Sequence, residues 1–208
     1  MKVLLINGSA RSKGNTFLAL SEIAAQLAKQ DIVSEIIQIG TKPVRGCIAC
    51  NSCKQQCNNK CAFDDDICNC VSAKMANADA IIVGSPVYYG QPNGSVLSLI
   101  QRMFHSAGDL FRNKPAAAVA VCRRGGATAA FQTLNMPFMM MNMPVVTSRY
   151  WNIVYGRDEG QAALDTEGMQ TMRTLADNMA YLLKATEGRP APEREAAQPM
   201  NFIRPENK

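Results

Sequence analysis

Cys47, Cys50 and Cys53 recur at every third residue, and Cys57, Cys61, Cys68 and Cys70 follow in the same stretch. Three thiolates at that spacing can wrap one cubane and bind three of its irons, the pattern of [4Fe–4S] proteins. Two cysteines compete for the fourth iron. Cys57 reproduces the bacterial ferredoxin spacing, but there the fourth cysteine serves a second cluster and a proline follows it. Here only one such run exists and Asn58 follows. Cys61 is better placed to reach back across residues 54–60. Free thiols, a zinc ion and a redox disulfide remain alternatives to the cluster. Zinc sites usually set their two cysteine pairs a dozen or more residues apart. That split exists only between Cys47/Cys50 and Cys68/Cys70, and the second pair has a gap of a single residue, which is too short. Cys122, alone in an apolar run, reads as a small buried hydrophobe.

A second stretch offers different chemistry. Asn7-Gly8-Ser9-Ala10-Arg11-Ser12-Lys13-Gly14-Asn15-Thr16 stands between the apolar run Val3-Leu4-Leu5-Ile6 and the amphipathic segment that begins Phe17-Leu18-Ala19-Leu20. A strand, a tight polar loop and a helix in that order leave the helix's first N–H groups without internal partners. The helix dipole adds partial positive charge there, so an anion is the natural occupant. Ser9, Ser12 and Thr16 add hydroxyls, Arg11 and Lys13 add charge, and Gly8 and Gly14 permit close approach. The loop is not a Walker A motif, because Asn15 stands where that motif has its lysine, and Gly-x-Gly-x-x-Gly is also missing. A hydroxyl-rich loop of this kind suits one terminal phosphomonoester, as on FMN.

The elements that must position these residues alternate regularly. Strands are predicted at residues 2–7, 32–39, 79–84, 116–122 and 144–147, with helices at 16–29, 67–78, 95–107, 127–140 and 160–184. The apolar stripe of the last helix runs through Leu164, Met169, Met172, Leu175, Met179 and Leu182. Strands that are apolar throughout, alternating with helices, make a doubly wound parallel sheet. Residues 41–66 form an irregular cysteine-rich insertion after the second strand. In such a sheet, ligands bind beyond the carboxyl ends of the strands. Three loops open there: 8–16; 86–94 with Pro86, Val87, Tyr88, Tyr89 and Gly90; and 123–127 with Arg123, Arg124, Gly125 and Gly126. The second can flank a flat heterocycle, and the third can meet a ring carbonyl or a negative group.

At 208 residues with 47% hydrophobic and 19% charged side chains, the chain is expected to be one globular domain over 1–184 with an extended, proline-rich arm over 185–208. Met200, Phe202 and Ile203 could dock that arm on a neighbouring subunit, although a frayed terminus is the plainer reading. The net charge of +5 is scattered and has no interleaved aromatics, which argues against nucleic-acid binding. No apolar run approaches the roughly 18 residues of a membrane span, and the first is too short for a signal sequence. A cytoplasmic location is therefore expected. With His105 the only histidine, hydrolytic Ser/His or Cys/His schemes have little to work with, and His105 reads as structural or surface. Met139-Met140-Met141 and Met143 read as core or subunit contact, and Asp64-Asp65-Asp66 as a solvated acidic start to the following helix.

The loop at 8–16, taken with Ala78-Asp79-Ala80-Ile81-Ile82-Val83-Gly84-Ser85-Pro86-Val87-Tyr88-Tyr89-Gly90, resembles the NAD(P)H-dependent FMN reductases of flavodoxin-like fold. The resemblance covers about residues 1–184. It implies strand order 2-1-3-4-5, FMN with its phosphate on the first loop and its ring against the other two, and a homodimer or homotetramer. Leu97 and Gln101 depart from the family, which often has lysine and aspartate there. Gly46-Cys47-Ile48-Ala49-Cys50-Asn51-Ser52-Cys53, then Cys61-Ala62-Phe63-Asp64-Asp65-Asp66, is similar to the iron-sulfur flavoprotein branch, in which the cysteine ahead of the acidic run closes the cluster. The resemblance implies hydride from NAD(P)H passing through FMN to a quinone, free flavin, nitro or azo compound, or oxygen. Alternatively, FMN and a cluster would relay single electrons from a ferredoxin-like donor. A cysteine-based sensor that kept only the fold is the third reading.

Overall fold

Val3-Leu4-Leu5-Ile6 is apolar at every position because β1 (Lys2–Asn7) lies inside the sheet with helices over both faces. The computed structural model describes residues 1–198, so Met200, Phe202 and Ile203 lie outside the described residues. β1 pairs in parallel with β2 (Val33–Gln38) and with β3 (Ala80–Tyr88). β3 pairs with β5 (Ala116–Cys122), and β5 with β6 (Ile153–Tyr155), also in parallel. The order is β2-β1-β3-β5-β6, the expected flavodoxin-like 2-1-3-4-5 path, with the two-residue β4 (Gln91–Pro92) folded back against the end of β3. The chain reverses direction across the sheet between β1 and β3, which opens a crevice at their carboxyl ends.

Alternate strand residues serve opposite faces. Val3, Leu5, Ile82 and Val119 meet α1 (Asn15–Ala28) and α6 (Thr166–Thr186). Leu4, Ile6, Ile81 and Val83 meet α3 (Cys68–Ala76), α4 (Gly94–Ala107) and α5 (Ala127–Met140). The insertion between β2 and α3 is irregular except for the short helix α2 (Ser52–Gln56). Met143 is buried, whereas Met139 and Met140 are exposed.

Three sequence expectations need correction. The fifth strand is split. Residues 144–146 make only a bridge beside Ala116, with Ala116 N–H donating to Pro144 at 2.9 Å and Val146 N–H donating to Ala116 at 2.8 Å. The chain then leaves the sheet and returns as β6 beside Ala120–Cys122. Buried Asn152 closes the gap: its carbonyl accepts from Ala120 N–H at 3.0 Å, and its amide donates to the Ala118 carbonyl at 3.0 Å. The last helix starts at Thr166, not 160, because Asp165 Oδ1 accepts from Gly168 N–H at 2.9 Å and fixes the N-cap there. Leu164 consequently lies in a separate 3-10 turn and is exposed. The third strand runs on to Tyr88 instead of ending at Gly84, because β4 pairs with its extension.

Half-buried Lys114 ties α3 to the sheet. Its Nζ donates to the carbonyls of Met75, Ala76 and Ala78 at 3.0, 2.7 and 2.7 Å, groups a helix C-terminus leaves unsatisfied. Burial pushes its ammonium below the ordinary lysine value, and the nearby Asp79 charge offsets part of that. Lys114→Met should lower stability by about 1–3 kcal/mol, since the Ala76 and Ala78 carbonyls lose this donor. Urea unfolding checks this, and a midpoint matching the parent would show that water replaces the lysine.

Candidate functional site

The first loop is braced from below. Gly8 N–H donates to the Gly84 carbonyl at 2.8 Å, and a Cβ at Gly8 would stand 2.8 Å from that same oxygen. Ser9 N–H donates to Asn7 Oδ1 at 3.2 Å, Ser9 Oγ accepts from Arg11 N–H at 3.1 Å, and the Gln38 amide donates to the Ser9 carbonyl at 2.6 Å. Gly14 caps α1 with extended backbone and no side-chain cap. The N–H groups of Asn15, Thr16 and Phe17 therefore have no acceptor within the described chain, and Arg11, Ser12 and Lys13 are exposed above them. Free N–H groups at the positive end of a helix dipole are donors suited to an anion. Thr16 is buried. The Asn15 side chain is engaged elsewhere: Nδ2 donates to the Asp158 carbonyl at 2.9 Å and Oδ1 accepts from Ala162 N–H at 3.1 Å. It pins the loop after β6, a neighbour of the site that the motif search missed.

The second and third loops meet at backbone distance. Tyr89 and Gly90 both take positive φ, 50° and 77°, turning β3 into β4 by a two-residue hairpin. A Cβ on Gly126, whose φ is +86°, would stand 2.8 Å from Gly90 Cα. Pro86 and Val87 are carried at the end of β3, while Tyr88, Tyr89, Arg123, Arg124 and Gly125 are exposed around the crevice. The first N–H groups of α5 are uncapped as well. Asn93 joins the second loop to the first, its amide donating to the Gly8 carbonyl at 2.8 Å and its Oδ1 accepting from Ser95 N–H to start α4.

Cys47, Cys50, Cys53 and Cys61 line one small cavity against α4, together with Arg102 and His105. Cys57 is outside it, exposed, with its thiol donating to the Lys54 carbonyl at 2.9 Å. The loop that carries these cysteines is tightly wound: Ala49, Asn51, Cys57 and Asn59 all take left-handed φ, rare outside glycine and a mark of local strain. Cys61 is held from three sides. Its N–H donates to Asn69 Oδ1 at 2.8 Å, its carbonyl accepts from Asn69 Nδ2 at 3.0 Å, and its Sγ accepts from Arg102 Nε at 3.3 Å. Cys68 is buried on α3, and burial pushes its thiol up to about 11. Cys70 is exposed, and Cys122 is buried as expected of a small hydrophobe.

Among the described residues, no three His, Cys, Asp or Glu side chains converge as they would on a single metal ion. A four-iron cubane spreads its thiolates more widely, one to each iron, and four cysteines that line a common cavity match that donor set by type and number. The acidic run corrects one expectation. Asp66 is not solvated: it is paired with buried Arg102 and accepts from Cys68 N–H at 2.9 Å, while Asp65 meets Arg45 and Asp64 meets Asn69.

Residues 1–158 match the family model described as NADPH-dependent FMN reductase. The chain belongs to that family. Within the FMN reductase family it is similar to an iron-sulfur flavoprotein of Methanocaldococcus jannaschii, 35% identical over 192 residues, 88% of this chain and 98% of that protein. An iron-sulfur flavoprotein of Archaeoglobus fulgidus is 32% identical over 202 residues, 90% of this chain and 98% of that protein. In fold the chain is also similar to a flavodoxin from the domain Archaea, with TM-score 0.59, 14% identity, and 88% and 99% of the two chains covered. No helix among the described residues is long and apolar enough to cross a membrane.

Against the FMN reductase family motifs, Asn69, Arg102, Asn93 and the loop after β6 are what sequence reading missed. Arg102 left a signal. It falls three residues after Leu99 and one before Met103, so a charge interrupts the apolar stripe of α4. A charged residue at such a position implies a buried partner.

Proposed function

We propose that this chain is an FMN-dependent oxidoreductase that also carries a [4Fe–4S] cluster and passes electrons between the two. The observation that carries this reading is the convergence of Cys47, Cys50, Cys53 and Cys61 on one cavity beside α4, the helix that starts at the three-loop crevice. From Gly94 to Arg102 that helix rises about 12 Å, at 1.5 Å per residue. The FMN phosphate would be held by the N–H groups of Asn15, Thr16 and Phe17 with the Ser9, Ser12 and Thr16 hydroxyls, Gly14 allowing close approach. Arg11 and Lys13 would complement its charge. The ring would lie against Pro86, Val87, Tyr88, Tyr89 and Gly90, and against Arg123, Arg124, Gly125 and Gly126. Bound FMN supplies reversible one- and two-electron chemistry, and the protein supplies position and electrostatics. The chain's own tasks are then to neutralise the phosphate, wall off the ring with exposed tyrosines, and fix four thiolates. No side chain is assigned as an acid or base.

The family model favours NADPH as the donor. A second reading, electrons from a ferredoxin-like protein, is favoured by the surface around the cysteine cavity. Cys47, Ile48 and Cys50 are exposed there, and Lys42, Lys54 and Lys60 are exposed in the same segment of chain, basic residues suited to an acidic carrier. Anaerobic protein carrying flavin, iron and sulfide, bleached at once by NADPH, supports the first donor; reduction by a protein donor alone supports the second. Flavin without iron ends the cluster reading. The exposed Tyr150, Trp151, Met136, Met139 and Met140 support a homodimer or homotetramer, read by light scattering.

Gly126→Ala tests the crevice. The added methyl meets Gly90 backbone and a positive φ, a strain of about 1–3 kcal/mol. FMN affinity should fall roughly tenfold or more, one decade for each 1.4 kcal/mol, with circular dichroism unchanged. Parent affinity in a fluorescence titration would show that the loops do not bear on the flavin.

A further inference from the structure

α4 presents two nitrogen-bearing side chains to the cysteine cavity, three residues apart and so on one helix face. Arg102 Nε already donates to Cys61 Sγ at 3.3 Å. His105 lines the same cavity, and its Nε2 is buried with no hydrogen-bond partner among the described residues. Buried ring nitrogens are seldom left in that state, and an unpaired one marks a partner still to arrive. Four of the residues that line the cavity are cysteines, so sulfur is its most abundant side-chain acceptor, beside the oxygens of Asn51 and Ser106. Cys47, Cys50, Cys53 and Cys61 already provide four thiolates for four irons, so the histidine is not needed as a ligand.

Building on the cluster reading above, we infer that His105 donates its Nε2–H to a sulfur of the [4Fe–4S] centre and, with Arg102, raises its reduction potential. The sign follows from charge. Reduction adds an electron to the sulfur-rich centre, so N–H donors aimed at those sulfurs stabilise the reduced form more than the oxidised one. His105 is therefore a tuning residue. Arg102 does the same at Cys61 while also anchoring the loop.

Because the chain has one histidine, labelling the full-length protein with 15N-histidine places the label at one site only. Pulsed EPR of the dithionite-reduced, anaerobically purified protein should show one weak 15N coupling, absent in His105→Leu. Redox titration of His105→Leu should give a lower midpoint potential, about a tenfold change in the reduction equilibrium, as one hydrogen bond to a charged group implies. His105→Gln, which keeps an N–H donor, should recover part of that shift. A fully loaded cluster with no 15N coupling and an unmoved potential overturns the assignment. A strong coupling typical of direct bonding to iron also overturns it, making His105 a ligand. Wild-type protein without iron and sulfide instead overturns the cluster reading on which the inference rests, and the two failures are distinguished by the metal assay.

Discussion

Cys61→Ser is expected to lose the cluster while Cys57→Ser keeps it. Purified anaerobically, the Cys57 variant should hold about four irons per chain, as a [4Fe–4S] centre requires, and the Cys61 variant should hold few or none. Both should retain FMN, because the three loops that form the crevice contain neither residue. The two cysteines are only four positions apart, but their surroundings differ. The Cys57 thiol is exposed and already donates to the Lys54 carbonyl at the end of α2, and its left-handed φ of 49° belongs to the turn that ends that helix. Bringing it to the cavity means unwinding α2.

Cys61 needs no such movement. Asn69 grips its N–H and carbonyl together, doing with one side chain what a neighbouring strand does with backbone, and Arg102 donates to its sulfur. A ligand held by its surroundings loses little freedom on binding metal, which is what makes a site tight. Iron retained by Cys61→Ser and lost from Cys57→Ser would reverse the assignment. Iron retained by both would remove the cysteine cavity from consideration altogether.

How much of this was legible beforehand depends on the range of the interactions involved. The β1–α1 loop and the apolar strands are local patterns, so the parallel sheet and the three-loop crevice could be read from residues close together in the chain, while the strand order came from the family resemblance. Residues 144–147 looked like a complete fifth strand because Val145 and Val146 are apolar. That the strand breaks and resumes at Ile153 depends on Asn152 reaching the Ala118 carbonyl, a contact across 34 positions. The cysteine spacing already pointed to three ligands, and its fourth came down to Cys57 or Cys61. What separates the two, Asn69 and Arg102, lies in other elements. Asp66 was misread for the same reason: nothing near it in sequence announces a guanidinium 36 residues away. Acidic residues before a helix are usually solvated, and here a long-range pair overrode that local rule.

That pair is a vulnerable point of the fold. Arg102 and Asp66 have side chains only 1% and 5% exposed. Burial works against the charge on Arg102, but Cys61, Cys68 and Asp66 together offset it and hold the guanidinium above its ordinary value. Its NH1 and NH2 also reach the carbonyls of Arg45 at 3.3 Å and Phe63 at 2.8 Å, so one side chain fastens both ends of the cysteine loop to α4. Arg102→Leu leaves the buried Asp66 carboxylate without its countercharge, removes the guanidinium from the Arg45 carbonyl and leaves the Phe63 carbonyl to Asn69. Removing one member of a buried pair costs about 3–5 kcal/mol, a large share of the roughly 5–15 kcal/mol that holds a domain together. Urea unfolding should show that loss, and trypsin should begin to cut at exposed Lys54 and Lys60 before the rest of the chain opens. Arg102→Lys should fall between the two, since an ammonium can keep Asp66 paired but cannot span Arg45, Phe63 and Cys61 together. Replacing Asp66 with Leu as well should recover only part of the stability, because the bonds from Arg102 to the Arg45 and Phe63 carbonyls stay lost. An Arg102→Leu protein within about 0.5 kcal/mol of the parent, as for an ordinary surface change, would mean that the loop is held by its own turns, and the role given to α4 in placing Cys61 would have to be abandoned.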